Sequence, residues 1–543
     1  MAGSFFGTDG IRGRTTLDDF SEEQAIELFE HERTITPAFI QILGEALALA
    51  QSAMPGEGTT VVVGWDRRPH NEELASALTL GLRLCGCEVL HIGECATPTL
   101  HLAVLNFKAR MGCMITASHN PVSDSGVKIF NTHGYKISPK LELDISQTLR
   151  QLAAEDREVD ANERLALSSP CRVELNWPNT AHRSWLEQRW SIFESEFGRF
   201  DPLESMTALA TPFLIDSAGG SARTWLAPCL SQLGIACREV SLEVQELNRS
   251  CGAGEISPTQ TWTHEQASRE DHILLRQLSP AKEGTLVGAM LDGDGDRCLV
   301  IQATSQGYRV IDGDAIAAIL VAASQQDAWH VVASIESDIG LTEHLQRLKS
   351  QIITEETAVG DRWLSFALRP RSNDLLVGHF MPGALGIEDS GHVVLPSPHP
   401  QLAQHWSLVG DGAATLCAVL LAYDDHHLDA YFRGWKKRIS LNNSHRERWH
   451  EQSELFAHVE KMVTQRMAEE GLKVKQRTID GEENLLLVHG QNSNGIVSFA
   501  VRNSGTQEKT NLSLRLSRDI ALEPFQSLLS EVEAFLRPQL CEN

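Results

Sequence analysis

The sequence predicts an α/β fold in which three similar mixed or parallel α/β domains and a C-terminal α+β domain surround a central cleft. In the first two thirds of the chain, apolar strand-like runs alternate with amphipathic helical segments, and this alternation restarts twice. In the last part, one helix precedes several consecutive strands. With 543 residues the chain is also too long for a single hydrophobic core.

The first unit shows the alternation most clearly. A helix is expected to begin at Thr36 and Pro37, because Thr caps a helix and Pro fits its first position. Strands and helices are then predicted, in order, at TTVVVGWD, NEELASALTLGLRLCG, CEVLHIG, TPTLHLAVLNF and MGCMIT. Right-handed crossovers between such strands give a parallel sheet. The sequence SHNP at 118–121 follows the last strand, at the edge where open α/β sheets bind ligands.

The next two units repeat this alternation of strands and helices, and the last part of the chain differs. A second unit is predicted from PFLIDSAGG to DGDGDR, and a third from DGDAIAAILVAAS to EDSGH. The last part combines the helix LFAHVEKMVTQRMAEEGL with the strands NLLLVHG, GIVSFAVRN and TNLSLRLS, followed by a final helix. Residues 154–205 are polar and acidic; their first part is expected to be an insertion or linker, and HRSWLEQRWSIFE a helix. The expected domains are residues 1–194, 195–305, 306–430 and 431–543.

The composition excludes several classes of protein. A net charge of −25 argues against nucleic-acid binding, which rewards a basic face. No apolar run reaches the roughly 18 residues of a membrane span, and the start lacks the basic and apolar regions of a secretion signal. The eleven cysteines are scattered without paired spacing, so we expect reduced thiols and a cytoplasmic protein. An anionic substrate would require locally concentrated basic residues.

The sequence DGDGDR places Asp292, Asp294 and Asp296 at alternate positions after a predicted strand. Three converging carboxylates repel one another unless a hard divalent cation lies between them, although a solvated acidic turn would show the same pattern. An EF-hand is excluded, because its sixth position would be Arg297 and its twelfth Ala303. A haloacid-type phosphatase is excluded, because the Thr or Val expected after Asp-x-Asp is absent. Mg²⁺ fits best, with a further oxygen ligand from elsewhere.

Two further loops suit polar ligands. RNSGTQEKT combines a guanidinium, two hydroxyls and a glycine, which suit a phosphate dianion. Its candidate residues are Arg502, Ser504, Gly505 and Thr506. GIEDSGH gathers Glu388, Ser390 and His392 in a compact turn that can bind hydroxyl groups. Taken alone, each of these loops, and SHNP as well, is also typical of an ordinary surface turn.

Five segments in order resemble the α-D-phosphohexomutase family: FGTDGIRG, TASHNP, DGDGDR, an E-x-SGH loop and an R-x-SGT loop. They spread over nearly the whole length of the chain. Within this family, FGTDGIRG and the segments LNRSCGA, VIDGD and AVGDRW resemble the phosphoglucosamine mutases.

The resemblance implies a role for each candidate residue. Ser118 is expected to carry a phosphoryl group between turnovers and to join the three aspartates at Mg²⁺. Arg12 and Lys128 are expected beside the transferring group, with Lys128 a general acid/base of lowered pKa. His119 and Arg297 are expected to assist. The E-x-SGH loop is expected to hold sugar hydroxyls, and the R-x-SGT loop to hold the phosphate that is not reacting.

The implied activity is interconversion of hexose 6-phosphate and hexose 1-phosphate through a 1,6-bisphosphate. Glucosamine 6-phosphate is the expected substrate, and a hexose 1,6-bisphosphate the expected activator. The expected protein is a monomer or homodimer that binds neither nucleic acid nor membrane.

Three alternatives stay open at this point. The chain could be a phosphomannomutase or phosphoglucomutase of the same family, a non-catalytic sugar-phosphate-binding regulator, or a phosphoserine-based hydrolase. The chain also departs from the family's usual pattern. It has RNSGTQEK where RPSGTEP is common, and Ile387 where glycine is usual. Asp389 stands where an uncharged residue is common, so we expect it either to face solvent or to favour the ammonium group of an amino sugar.

Overall fold

A computed structural model describes residues 4–155, 159–198, 208–370, 374–424, 426, 431, 433–505 and 508–541. Within them the chain forms four β-sheets with helices packed on their faces, which confirms the predicted α/β class. None of the described helices has the length and apolar character needed to cross a bilayer.

Sheet 1 has the strand order β2-β1-β6-β5-β3-β4-β7. Its strands β3, β4 and β5 are parallel, as predicted. The short strand β7, which was not predicted, also pairs in parallel with β4, whereas β6 runs antiparallel to both of its neighbours, β1 and β5. The strands are Ile11–Thr15, Thr34–Ile35, Thr60–Trp65, Glu88–Glu94, Met111–Ile115, Asp124–Asn131 and Arg172–Val173. The associated helices α1–α7 are Glu22–Glu32, Pro37–Ala50, Asn71–Leu84, Thr97–Asn106, Pro139–Ala153, Ala161–Leu167 and Trp177–Phe197. Thr36 caps α2 as predicted, because its Oγ1 accepts a 3.1 Å hydrogen bond from the amide of Phe39.

Sheets 2 and 3 are mixed six-stranded sheets, ordered β10-β13-β12-β11-β8-β9 and β15-β14-β17-β18-β19-β16. Strands β8–β13 are Leu209–Asp216, Cys237–Glu239, Thr261–Thr263, Leu286–Leu291, Cys298–Ala303 and Gly307–Ile311. Strands β14–β19 are Ala328–Ser334, Gln351–Thr357, Leu376–Val377, Ala384–Ile387, Val393–Pro398 and His405–Gly410. Helices α8–α13 are Leu226–Gln232, His264–Arg269, Gly313–Ala323, Leu341–Leu348, Asp361–Leu368 and Gly412–Ala422. One continuous apolar core joins these two sheets.

Sheet 4 is antiparallel throughout and has the order β20-β24-β23-β22-β21. Its strands are Trp435–Asn442, Lys473–Gln476, Leu486–Asn492, Gly495–Asn503 and Lys509–Leu516, and its helices α14 and α15 are Glu454–Glu469 and Glu523–Cys541. A separate apolar core lies between these helices and the sheet, as an α+β unit requires.

The predicted division into domains remains a proposal, with two changes. The boundary expected at 305/306 would separate β12 from β13, which pair with each other in sheet 2. We therefore place that boundary after Ile311. The boundary expected at 194/195 would divide α7, so we place it after Phe197, the last residue of that helix. The boundary at 430/431 is kept.

The helix predicted in the polar segment 154–205 is α7. Its His182 hydrogen-bonds Thr99 at 2.9 Å and Asp411 at 3.1 Å, so α7 joins α4 to α13. In the linker part, α6 spans Ala161–Leu167, and residues 156–158 lie outside the described part of the chain.

Candidate active site

The loop that carries Ser118 is hydrogen-bonded to residues from the units of both sheet 1 and sheet 2. Ser118 has φ of 52°, in the left-handed region that non-glycine residues seldom occupy. Its carbonyl accepts hydrogen bonds of 2.7 Å from both Arg68 Nη2 and Asn248 Nδ2, and its amide donates to Thr116 Oγ1 at 2.8 Å. These bonds offset the cost of the unusual backbone and fix the direction of the side chain.

The hydroxyl of Ser118 lies among charged groups in a buried position. Ser118 is 1% exposed. Its Oγ accepts a hydrogen bond from Arg12 Nη2 at 3.1 Å and donates one to Asp294 Oδ2 at 3.2 Å. Lys128 Nζ donates to that same carboxylate oxygen at 2.7 Å. The structure therefore brings the predicted serine, arginine, lysine and aspartate loop together.

Asp292, Asp294 and Asp296 converge in the turn between β11 and β12. All three are buried, and one carboxylate oxygen of each lies within 4.8 Å of the other two. Among the described residues, Asp292 Oδ2 and Asp294 Oδ1 have no hydrogen-bond partner. Burial, together with the charges of Asp296 and Asp294, raises the pKa of Asp292. Buried carboxylate oxygens that lack partners and repel one another are the donor set that a hard divalent cation such as Mg²⁺ satisfies.

The lowered pKa expected for Lys128 is wrong. Its ammonium group lies 2.7 Å from Asp294, 2.7 Å from Asp296 and 3.2 Å from Asp9. Burial opposes the charge, but the three carboxylates outweigh it and raise the pKa of Lys128 well above its usual value. Lys128 is therefore a protonated lysine in this arrangement.

His119 and Arg297 lie beside the serine and aspartate loops. Arg297 Nε is 3.8 Å from Asp292 Oδ2. The charge of Arg297, followed by burial and by Arg12, lowers the pKa of His119. His119 Nδ1 is buried and has no hydrogen-bond partner among the described residues. His119 is consequently a neutral imidazole that can bind a polar ligand atom.

The predicted hydroxyl-binding turn is compact, as expected. Ser390 Oγ donates to Glu388 Oε2 at 3.3 Å. His392 lies between two carboxylates, with its Nδ1 3.4 Å from Asp296 and its Nε2 3.4 Å from Asp361. Burial opposes the charge of His392, but these carboxylates raise its pKa to about 10. His392 thus connects the hydroxyl-binding turn to Asp296 of the aspartate loop.

Neither expectation for Asp389 is met. Asp389 is 3% exposed, so it does not face solvent. Its carboxylate pairs with Lys436 Nζ at 2.9 Å and with Arg438 Nη2 at 3.0 Å, both on β20 of sheet 4. Because the carboxylate of Asp389 already pairs with these two cations, it joins the units of sheets 3 and 4 and is not available to the ammonium group of an amino sugar.

Arg502 of the predicted phosphate loop is held by a carboxylate. Arg502 Nη2 lies 3.1 Å from Glu336, and the same glutamate is 3.1 Å from Arg438. A cavity of about 470 Å³, lined in part by Glu336, Arg438 and residues 254–259, lies between these groups and the unit of sheet 2. The charged lining of this cavity is mixed, with Lys436, Lys437 and Arg438 on the basic side and Glu255, Glu336 and Asp389 on the acidic side.

The rest of that loop approaches the N-terminal loop closely. A Cβ added at Gly505 would lie 2.4 Å from Thr8 Oγ1, so only glycine allows this contact. The carbonyl of Ser504 accepts a 2.6 Å hydrogen bond from Arg446. Thr506, also predicted here, lies outside the described residues.

Sequence reasoning missed several residues of the site. Asp9, Asn248 and Asp361 lie inside the segments FGTDGIRG, LNRSCGA and AVGDRW, so a signal was present. Glu336 and Arg438 stand in no such segment, and only the folded chain brings them to Arg502.

Comparison with known proteins assigns the family. Residues 3–156 match phosphoglucomutase/phosphomannomutase, alpha/beta/alpha domain I, and residues 312–436 match domain III of the same family. Phosphoglucosamine mutase from Mycolicibacterium gilvum is 30% identical over 422 residues, which cover 76% of this chain and 76% of that relative. Phosphoglucosamine mutase from Mesorhizobium japonicum is 27% identical over 432 residues, which cover 77% and 78% of the two chains.

Solved structures share the fold. A phosphoglucomutase/phosphomannomutase family protein from Burkholderia thailandensis is 18% identical with a TM-score of 0.63, over 99% of both chains. The open form of parafusin, a phosphoglucomutase from Paramecium, is 14% identical with a TM-score of 0.62, over 99% of this chain and 95% of that one. From the family match and the similarity to curated relatives, we conclude that the chain belongs to the phosphoglucomutase/phosphomannomutase family and is a phosphohexomutase.

Proposed function

We propose that the chain interconverts hexose 6-phosphate and hexose 1-phosphate through a phosphoserine at Ser118 and a hexose 1,6-bisphosphate. The observation that carries this proposal is the environment of Ser118 Oγ. It is buried, lies 3.1 Å from the guanidinium of Arg12, and shares an oxygen of Asp294 with Lys128. Cations beside a buried hydroxyl favour a phosphoryl group there.

The first transfer moves the phosphoryl group from Ser118 to the free hydroxyl of the sugar phosphate. The hydroxyl oxygen bonds to phosphorus as the bond to Ser118 Oγ breaks. Lys128, which is protonated, donates its proton to the departing serine oxygen and then accepts the proton of the sugar hydroxyl. Arg12 stabilises the negative charge on the phosphoryl oxygens.

The second transfer returns the other phosphate of the bisphosphate to Ser118. The intermediate must therefore bind in two orientations. Glu388, Ser390 and His392 would hold its hydroxyls, while Arg502, Ser504, Gly505 and Thr506 would hold the phosphate that is not reacting. His119 and Arg297 would contact the reacting phosphate. Mg²⁺ bound by Asp292, Asp294, Asp296 and Ser118 would neutralise charge on the transferring group.

Glucosamine 6-phosphate is the proposed substrate, and a hexose 1,6-bisphosphate the proposed activator that first phosphorylates Ser118. The named relatives from both bacteria support an amino sugar. The N-acetylphosphoglucosamine mutase of Aspergillus fumigatus was solved with GlcNAc-6P and magnesium; it is 15% identical with a TM-score of 0.52, over 81% of this chain and 92% of that one.

A substrate panel tests the sugar. Purified protein with Mg²⁺ and a trace of glucose 1,6-bisphosphate would receive glucosamine 6-phosphate, mannose 6-phosphate or glucose 6-phosphate. We expect the fastest conversion with the amino sugar. Faster conversion of mannose or glucose phosphate would make the chain a phosphomannomutase or phosphoglucomutase instead.

A further inference from the structure

Residues 359–363, which we call the clasp segment, connect β15 to the first turn of α12. Each residue of this segment contacts residues that are distant in sequence. The segment includes the GDRW of the AVGDRW sequence, and the proposed reaction assigns it no role.

Both ends of the clasp segment contact the unit of sheet 4. The amide of Val359 donates a 3.0 Å hydrogen bond to Glu482 Oε1. A Cβ added at Gly481 would lie 2.1 Å from the ring of Trp363, so that loop packs directly on the indole. Residues 481 and 482 are thereby fixed against the unit of sheet 3.

The middle of the clasp segment reaches the sugar-binding turn and the N-terminal loop. The amide of Gly360 donates a 2.6 Å hydrogen bond to Glu388 Oε1. Gly360 has φ of 120°, and a Cβ there would lie 3.0 Å from Thr8 Cγ2. Glu388 therefore depends on this backbone for its orientation, and the N-terminal loop lies directly against it.

Asp361 links the segment to the charged groups around Ser118. Its carboxylate pairs with Lys136 Nζ and, at 3.4 Å, with His392 Nε2. Lys136 also pairs with Asp9, and Asp9 lies 3.2 Å from Lys128. A chain of alternating charges thus runs from Asp361 to the lysine beside Ser118.

Arg362 forms a bidentate ion pair with Glu142. Its Nη1 and Nη2 donate to the two oxygens of Glu142 on α5, at 2.8 and 2.5 Å. Arg362 is 8% exposed and Glu142 is 5% exposed. A buried, bidentate arginine–carboxylate pair fixes both distance and angle between the elements that carry it. This pair joins the unit of sheet 1 to that of sheet 3.

We propose that Asp361 and Arg362 are positioning residues that hold the unit of sheet 1 against that of sheet 3, so that the bisphosphate intermediate is retained while it reorients. They act through Lys136, His392 and Glu142 and contact no reacting atom. The inference rests on the proposed function, because only a reaction with a bisphosphate intermediate requires retention. Without the clasp, the intermediate leaves before its second phosphate returns to Ser118.

The test measures how often the intermediate escapes. Wild type and Arg362→Gln would receive ¹⁴C-labelled hexose 6-phosphate with Mg²⁺ at pH 8, and labelled free bisphosphate would be counted per labelled hexose 1-phosphate formed. This pH lies above the pKa of about 7 that burial gives Glu142 despite the nearby Arg362, so Glu142 is ionised. We expect Arg362→Gln to raise the released fraction about 10-fold or more, and the charge swap E142R/R362E to lower it again.

Glu356→Gln is the matched control, because Glu356 also pairs across sheets 3 and 4, with Arg515 at 2.9 Å, but contacts neither the clasp segment nor its partners. It should leave the released fraction unchanged. If Arg362→Gln does not fold, Arg362→Lys carries the same test, since it keeps the charge but loses the two-pronged contact. A released fraction equal to that of wild type overturns the clasp, even if turnover is slower. A wild-type protein that isomerises none of the three sugar phosphates overturns the proposed function instead, and the clasp with it.

Discussion

Thr97 Oγ1 donates a 2.6 Å hydrogen bond to Asp294 Oδ2, the oxygen that also accepts from Ser118 and Lys128. The amide of Thr97 donates to the carbonyl of Asp294 at 2.8 Å. Thr97 is the first residue of helix α4, in the unit of sheet 1. It thus fixes both the backbone and the carboxylate of Asp294, which lies in the turn between β11 and β12 of sheet 2.

Replacing this threonine should weaken metal binding. Thr97→Val keeps the shape and removes the hydroxyl, so Asp294 loses one of the groups that orient it. We expect the affinity for Mg²⁺, measured from the Mg²⁺ dependence of activity, to fall about 10- to 100-fold. Thr97→Ser keeps the hydroxyl and should restore most of that affinity. Equal affinity in Thr97→Val and wild type would show that Asp294 needs no such support.

The Tm of the protein should depend both on Mg²⁺ and on the number of charged carboxylates in the aspartate loop. Without a cation the three carboxylates repel one another, so Asp292→Asn should raise the Tm in EDTA. Added Mg²⁺ should raise the Tm of wild type and raise that of Asp292→Asn less, because binding to the folded state stabilises it. Thermal unfolding of both proteins, in EDTA and in Mg²⁺, measures these two changes in Tm. A Tm shift of the same size in both proteins would place the cation elsewhere.

Gly505 should be required for substrate binding rather than for folding. Gly505→Ala would bring Cβ 2.4 Å from Thr8 Oγ1 and 2.7 Å from the amide of Thr8, so the loop must move away. We expect KM for the sugar phosphate to rise about 10-fold, which corresponds to about 1.4 kcal/mol. Gly471→Ala is the control, because that glycine has φ of 72° and open space around it. A KM unchanged in Gly505→Ala, or raised equally in both variants, would contradict this role.

Glu356 should make the stability of the protein depend on acidic pH. Burial opposes its charge, but Arg515 and Arg477 outweigh burial and lower its pKa from 4.5 to about 2. Its contribution is therefore fully present above pH 4.5 and is lost as the pH falls through 2. Urea unfolding should give wild type an advantage over Glu356→Gln of about 3 kcal/mol at pH 6 and about 1 kcal/mol at pH 3. An advantage that is the same at both pH values would contradict this pKa.

Local patterns predicted the elements well because each depends on nearby residues. The strand–helix alternation of sheet 1, the cap at Thr36 and the helix at HRSWLEQRWSIFE could all be read from periodicity and capping residues. The approach of Ser118, Arg12, Lys128 and the aspartate loop to one point was predicted only through the family resemblance. No local pattern in the sequence indicates which loops from different sheets lie close together in the folded chain.

The errors arose where distant charges meet. Lys128 was expected to have a lowered pKa, but Asp9, Asp294 and Asp296 surround it. Asp389 was expected to face solvent or to favour the ammonium group of an amino sugar, but its carboxylate pairs with Lys436 and Arg438 of sheet 4. The antiparallel direction of β6 relative to β1 and β5 was likewise not predicted from sequence, because strand direction depends on long-range pairing.

The most direct test of the central claim follows the phosphoryl group of Ser118. Protein labelled with ³²P from glucose 1,6-bisphosphate, and Ser118→Ala treated in the same way, would be mixed with unlabelled glucosamine 6-phosphate for a single turnover. We predict that only the wild type carries label, and that the label moves to the sugar phosphate. Label that appears as inorganic phosphate would identify a hydrolase. Label that stays on the protein in the presence of every sugar phosphate would contradict phosphoryl transfer from Ser118.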